Sequence, residues 1–434
     1  MAERLNSKQL HDMWTELGMD VQLHDRLMEH SENTHRRNFL WQRNRPEAMA
    51  AFDTALHDSH GQRVAEVREF RKNGGKSIGS FCVYLPDEIS AAAGVLNIPL
   101  CGGSGFSVNY ADKILPRDIC PLVRSTFGMA FSGTCPYKTL KDRVVGETTC
   151  DAKKKTWDLL GFLVLEVPQK KNPIDRELWL SEVKSFAGQM EALSGVRITA
   201  EGLRSGIVKQ NRKRRVLNDI SEFRKLDEPP ISGLDALLVS QVALNMDTDV
   251  FIAAGERLLA ELEDRAARGV SAYDRPGVRV VMAGTPSPMG YAKIHAAAEM
   301  SGLRVVMDES CTGLRYSRNY VPEDLETTEE MIEAVADRYF QVDCACFSPN
   351  FERRDNLKVV VEEYRAEGVL HNILQYCHGF NVEAGVMDGM LTEMGVPTLK
   401  VVSDYSQEDF EQIRIRMEAF KGVIENRRSM KTGG

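Results

Sequence analysis

The residues of this 434-residue chain best suited to chemistry are its nine cysteines. None forms a Cys-x-x-Cys pair, so zinc-ribbon and thioredoxin-like sites have little support. The closest two are Cys344 and Cys346. In a reducing cytoplasm, disulfides explain them poorly. Cys82, Cys101 and Cys150 fall at or near the ends of strand-like stretches in the first half, and Cys311 and Cys377 do so in the second. Cys120 opens a helix, with Pro121 suited to its first turn. Strand ends of open α/β sheets carry loops and helix N-termini whose N–H groups stabilise thiolates and sulfides. Thiolates dispersed over two domains suit an iron–sulfur cluster better than zinc, whose ligands usually include short-spaced pairs. A lone free cysteine often serves as a small apolar residue. That reading weakens when five recur at strand ends.

The stretch Arg143–Lys155 concentrates this pattern. It starts as a β-branched strand, stops at Cys150, and places Asp151 to cap a helix that opens with three lysines. Glu147 lies three residues before Cys150. Burial beside a cluster would raise its pKa and make it a candidate acid. His378, next to Cys377, reads equally as a proton donor or as a hydrogen-bonded structural histidine. Glu88 is a catalytic candidate too, although acids favour helix starts for dipole reasons alone. The stretch Gly284-Thr-Pro-Ser-Pro-Met-Gly290 follows a strand and precedes a helix. It could hold a phosphate or a CoA end, but a tight loop is the simpler reading. There is no Walker A loop, so any use of ATP calls for another protein.

The elements that must position these residues alternate in type. Residues 1–74 read as helices, a packing or dimerisation layer. Residues 75–173 alternate strand and helix, with strands ending near Cys82 and Cys101, a third before Cys150, and one at 162–167. Residues 174–274 carry four helical patterns and read as a bridge. Residues 275–434 repeat the βα alternation, with strands at 278–283, 303–307, 369–375 and 396–402 and a long last helix from about Gln407. The chain is therefore expected to be α/β, with two similar parallel-sheet domains of Rossmann or flavodoxin-like type. The net charge of −8 argues against general binding of nucleic acid or anionic membranes. The basic run Lys209–Arg215 reads as a solvated helix face, with docking of a charged partner as the other choice. No apolar run approaches the ~18 residues of a membrane span, and no signal-like segment opens the chain; a cytoplasmic protein is expected. Lys431–Gly434 reads as a frayed tail.

Several of these stretches resemble the 2-hydroxyacyl-CoA dehydratase and benzoyl-CoA reductase superfamily, and more closely its double-cubane cluster proteins. They are Phe81-Cys-Val-Tyr-Leu-Pro-Asp-Glu-Ile89, Ile119-Cys-Pro-Leu-Val-Arg-Ser125, Cys135-Pro-Tyr137, Val144–Lys155, Glu309-Ser-Cys-Thr-Gly313, Cys344-Ala-Cys-Phe-Ser-Pro-Asn350, Gln375-Tyr-Cys-His378 and Ser403-Asp-Tyr-Ser406. The resemblance implies two α/β domains with an iron–sulfur site between them. A single [4Fe-4S] cubane would rest on Cys82, Cys150 and Cys377. A double-cubane [8Fe-9S] cluster would add Cys120, Cys311 and Cys346, with Cys101, Cys135 and Cys344 in reserve. The choice between Cys344 and Cys346 stays open; on a strand both would share one face, and a bend would part them. Glu147, His378 or Glu88 would supply protons. The resemblance also implies a homodimer, a small-molecule substrate, and a separate ATP-hydrolysing [4Fe-4S] reductase that donates electrons at low potential. The alternative is a dehydratase subunit with one cubane that binds CoA esters beside an unlike subunit. One departure stands out: Gly284-Thr-Pro286 replaces the Gly-Cys-Pro turn expected of closer relatives, so position 285 offers no thiolate.

Overall fold

The computed structural model describes residues 4–100 and 102–432, with side chains to 430. Cys101 and the last two residues lie outside the described part. Among the described residues, eight strands form two four-stranded sheets, both wholly parallel. The first holds β1 (Lys76–Ser80), β2 (Val95–Pro99), β3 (Arg143–Glu147) and β4 (Leu163–Leu165) in the order β2-β1-β3-β4. The second holds β5 (Val278–Gly284), β6 (Leu303–Asp308), β7 (Gly368–Leu374) and β8 (Thr398–Ser403) in the order β6-β5-β7-β8. The two orders are the same, as expected of two similar domains. In each, the winding direction reverses between the two central strands, which opens a crevice beyond their carboxyl ends. The strands β5, β6 and β7 are buried along almost their whole length, which is why they read as unbroken apolar runs.

Four helices precede β1: Ser7–Glu16, Val21–Asn38, Met49–Asp58 and Gln62–Lys72. The second is the one that apolar spacing does not reveal. Its inward positions include His24 and His35, both fully buried, so polar rings fill places that usually carry leucine. The third and fourth helices are separated by the break at Ser59–Gly61. Between the sheets run the helices Pro173–Ser194, Ala200–Glu222, Gly233–Ala243 and Thr248–Ala267. They are not laid on the outside. One continuous core joins Phe52 of the first layer, Ile89 of the first domain, Phe186 and Leu203 of the middle helices, and Val335 and Tyr339 of the second domain.

This placement corrects in part the reading of the basic run. The helix Ala200–Glu222 lies in the seam between domains. Arg214 is fully buried and donates to Glu88 of the first domain (2.6 Å), and the Tyr339 hydroxyl of the second donates to the same carboxylate (2.9 Å). Asn211 donates to the Val321 carbonyl and to Glu323. Lys209, Arg212 and Arg215 face water, paired with Asp249, Glu256 and Glu323, while Lys213 and Arg214 are buried. The run therefore presents a solvated face on one side and ties the two domains together on the other.

Two boundaries differ from the expected ones. The last helix, expected from about Gln407, runs Phe410–Thr432, so residues 431 and 432 continue it; another helix, Phe351–Glu363, runs between β6 and β7. No helix among the described residues is long and apolar enough to cross a membrane.

Candidate metal centre

The loops at the carboxyl ends of the two sheets bring seven thiols together, and they do so as two groups. Cys82 follows β1 by two residues and touches Cys311, which follows β6 by three. Cys344 and Cys346 touch each other and lie within electrostatic reach of Cys311. They sit on a turn, closed by the Phe347 N–H donating to the Cys344 carbonyl (3.2 Å), not on a strand. The i, i+2 spacing therefore does not part them. The second group is Cys120, Cys150 and Cys377. Cys120 touches Cys377, and Cys150 lies in reach of both Cys120 and Cys344. Each group takes sulfurs from both domains.

The two groups are stabilised differently. Cys120, Cys150 and Cys377 are the N-cap residues of the helices Pro121–Phe131, Asp151–Leu160 and His378–Glu393. Their sulfurs thus face unpaired N–H groups and the positive end of a helix dipole. Contact with Cys377 first, and the N–H groups of Leu122 and Val123 next, bring the Cys120 thiol down to about 7 although burial opposes this. The expected cap, Asp151, is instead the first helical residue; Cys150 itself holds the cap position, with extended backbone. Before Cys377, Tyr376 adopts a left-handed φ of 60°, a conformation that disfavours large side chains. It turns the chain from β7 into the helix.

The first group instead has a buried cation. Arg315 donates to the Cys311 sulfur (3.3 Å), to Glu309 (2.7 Å) and to Asp343 (2.8 Å), and nothing in this set reaches solvent. Contact with Cys82 first, then the guanidinium, brings Cys311 down to about 6 against burial. Arg353 holds the other side of Glu309. Burial raises the Glu309 pKa, but the two arginines outweigh it and hold the carboxyl down at about 2. Gly313 permits the tight turn that precedes Arg315: a Cβ there would lie 2.1 Å from the Asp308 carbonyl oxygen.

Glu147 is buried at the end of β3 and paired with Lys153 at 2.5 Å. Lys153 stands one helical turn after Cys150 and within electrostatic reach of Cys82, Cys120 and Cys150. The Trp157 indole fixes this helix by donating to the Glu147 carbonyl (3.0 Å). Gly146 makes room for that ring, since a Cβ would lie 2.5 Å from it. His378 is exposed at its helix start. Glu88 stands apart from the thiols in the seam with Arg214, where proton transfer would require breaking a buried pair. Cys135 packs in a separate apolar cluster with Met13, Trp14 and Tyr137. Thr285 occupies the β5 end, where its hydroxyl donates to the Asn372 carbonyl (2.9 Å). The N–H groups of Thr285, Ser287, Gly290 and Tyr291 all bond within the protein, and Gln241 donates to three carbonyls of the same loop. The stretch 284–290 is a clamped loop with these amides already engaged.

A cavity of about 100 Å³ borders the first thiol group, lined by Phe81, Cys82, Leu122, Lys153, Pro288 and Cys311 among others. A neighbour of about 140 Å³, lined by His30, His57 and His60 of the first helical layer, shares Met289 with it. A wider cleft, about 810 Å³ beside Trp41 and Arg304, is lined by no cysteine.

Reasoning from sequence missed Lys153, Arg315 and Tyr84, whose hydroxyl donates to the Val342 carbonyl (2.9 Å) and borders Cys346. The available signal was spacing. Lys153 is i+3 from Cys150, a separation that stacks side chains on one helical face; Arg315 lies beyond the turn after Cys311 and offers no such signal. As to donor chemistry, the set consists of soft sulfurs backed by N–H groups and cations, which suits an iron–sulfur group. Among the described residues, no three His, Cys, Asp or Glu side chains close around a single ion; the sulfurs span a wider site.

Comparison with known proteins agrees with this architecture. The family model described as "2-hydroxyglutaryl-CoA dehydratase, D-component" matches residues 82–424. YjiM of Escherichia coli (strain K12), named provisionally as a dehydratase subunit, is 33% identical over 361 residues, 82% of this chain and 93% of that protein. The (R)-phenyllactyl-CoA dehydratase beta subunit of Clostridium sporogenes is 23% identical over 367 residues, 82% of this chain and 94% of that one. One of the subunits of benzoyl-CoA reductase from Thauera aromatica is 25% identical over 361 residues, 80% and 91% of the two chains. A match across both α/β domains, down to the last turns of the final helix, means that the chain belongs to this family of dehydratase and reductase subunits.

Proposed function

We propose that the protein is a cytoplasmic iron–sulfur reductase. It carries a double-cubane [8Fe-9S] cluster, receives electrons at low potential from an ATP-hydrolysing [4Fe-4S] partner, and passes them to a small substrate. The observation that carries this reading is the division of seven thiols into two groups, each fed by both domains. A single cubane is held by about four thiolates, and seven in two adjoining groups exceed that need. Cys82, Cys311 and Cys344 or Cys346 would hold one half, and Cys120, Cys150 and Cys377 the other. When bound, such a group supplies one-electron transfer at low potential.

The chain's own residues do the rest. The helix starts at Cys120, Cys150 and Cys377 offset negative charge on sulfur. Arg315 does so from the interior. Glu147 and Lys153, bonded to each other and next to the cavity, hold a proton within reach of a bound substrate. The absence of a Walker A loop from the sequence fits ATP hydrolysis on a partner, and several relatives are themselves named as subunits. A homodimer is the assembly that the resemblance to double-cubane proteins implies.

The dehydratase reading rests on the names of the relatives, four of which are dehydratase subunits. It calls for one cubane and an unlike second subunit. Iron and acid-labile sulfide per chain, on protein purified without oxygen, separate the two. About eight irons with a slight excess of sulfide support the double cubane. About four move the assignment to the dehydratase, and none after anaerobic reconstitution overturns both.

A further inference from the structure

Resting on that reading, we propose that the two thiol groups do different work and that Arg315 sets them apart. Its N–H on Cys311 raises the potential of the Cys82–Cys311–Cys344–Cys346 end against the effect of burial, which favours passage of an electron from the Cys120–Cys150–Cys377 end towards the cavity.

The two ends differ first in access. Cys150 is exposed, and the helix start beside Cys377 presents His378 and Gly379 to solvent. Cys311 and Cys344 are buried, while Cys82 and Cys346 are half-buried like Cys120 and Cys377, so the contrast in access lies between Cys150 and the Cys311–Cys344 pair. The inner end is the one that borders a cavity: Cys82 and Cys311 line it, while Cys120, Cys150 and Cys377 do not. An outward end and an inward end are therefore already defined by the fold. A donor protein reaches the first, and a small molecule in the cavity meets the second.

They differ also in the cation each receives. Arg315 is fixed on all sides. Nε and Nη2 are held by Asp343 and Glu309, which leaves Nη1 directed at the Cys311 sulfur, and the guanidinium lies over the Phe380 ring (5.4 Å). The planar fork cannot swing away without giving up one hydrogen bond to each of two buried carboxylates; Arg353 also holds Glu309, and Arg318 and Asn356 also hold Asp343. Arg315 and Arg353 balance Glu309 and Asp343 in charge, so what remains at Cys311 is a directed N–H donor in a region without water. Hydrogen bonds to sulfur raise the reduction potential of such clusters, and low dielectric strengthens the effect. Lys153 lines the cavity and reaches Cys82 as well as Cys120 and Cys150, so it serves both ends; it is partly open to solvent and paired with Glu147, and its charge is more screened. The step transfers one electron and breaks no bond: the donor's cluster is oxidised by one electron and this site is reduced by one.

Arg315 is thus a positioning residue, and its test is a potential. The loaded protein would be titrated anaerobically, with each redox couple followed by electron paramagnetic resonance. Arg315→Gln should lower one couple by about tenfold in the oxidised-to-reduced ratio at a fixed potential, about 59 mV for one electron, and leave the other in place. Arg315→Lys should recover part of the shift. Asp343→Asn, which frees the guanidinium from one carboxylate, should raise the same couple. A general loss of structure does not produce shifts of opposite sign. Unmoved couples in Arg315→Gln, or two couples moved equally, overturn the proposal. Should that variant not fold, Asp343→Asn decides alone, and the absence of an upward shift overturns it. Wild-type protein without iron removes the underlying reading before any variant is made, and the proposal falls with it.

Discussion

The two thiol groups solve one problem in two ways. Each must hold several sulfurs whose negative charge repels. The Cys120–Cys150–Cys377 group lies near the surface and relies on three helix starts, each worth about 0.3–1 kcal/mol to a nearby anion. The Cys82–Cys311–Cys344–Cys346 group lies deeper and relies on one guanidinium between two carboxylates. Where water can reach, backbone dipoles suffice. Where it cannot, a full charge is brought in, and it brings its own counter-charges. The difference makes the outer end tolerant and the inner end rigid.

The comparison fails most visibly if the inner cation proves dispensable. Arg315→Met leaves Glu309 and Asp343 buried without their shared partner and should cost about 3–5 kcal/mol, read from denaturant unfolding of protein in one loading state. Arg214→Met, in the seam, should cost as much for the same reason but leave the redox couples unmoved, since Arg214 faces Glu88 and Tyr339 and no cysteine. Lys153→Met should cost less, about 1–3 kcal/mol, because its side chain retains some contact with solvent. Equal losses for Arg315 and Lys153 would erase the distinction.

Acid should act on a third region before either thiol group. His24 and His60 contact each other at 3.0 Å. Burial, aided at His24 by the other ring, holds them at about 3 and about 4, below the 6.5 of an unfolded chain. The folded layer therefore binds fewer protons than the unfolded one. Its stability is complete above about pH 6.5 and falls as the pH drops towards 4. Between pH 7 and pH 5, amide protection, taken relative to the intrinsic exchange rate at each pH, should fall in Val21–Asn38 and Gln62–Lys72 while β5 and β7 keep theirs. A uniform fall would show that the layer has no separate response. The smallest effect belongs to Arg212→Ala, an exposed pair with Glu256, which should change stability by no more than about 1 kcal/mol.

Much of this is legible in the sequence because it depends on local pattern. All eight strands lie within about two residues of their expected positions, since β-branched runs ending at turn residues leave little choice. Cysteines at strand ends and helix starts point to the thiol site for the same reason. The unread parts depend on what packs against what. The basic run reads as a surface because nothing local says that a helix lies in a seam. Val21–Asn38 lacks an apolar stripe because histidines fill its inward positions. Arg315 follows a Thr-Gly turn and carries no motif, so only the fold shows that its fork reaches Cys311. Sequence alone does not rank Cys344 against Cys346, because both enter one turn.

The measurement that tests the central claim most directly is iron per chain in cysteine variants taken one from each domain, prepared without oxygen. If both domains build one site, Cys82→Ser and Cys377→Ser should each lose a large share of the wild-type iron, while Cys135→Ser, in its separate apolar cluster, keeps all of it. Full iron in both of the first two variants, or a loss confined to one domain's cysteine, would contradict a centre shared between the two sheets.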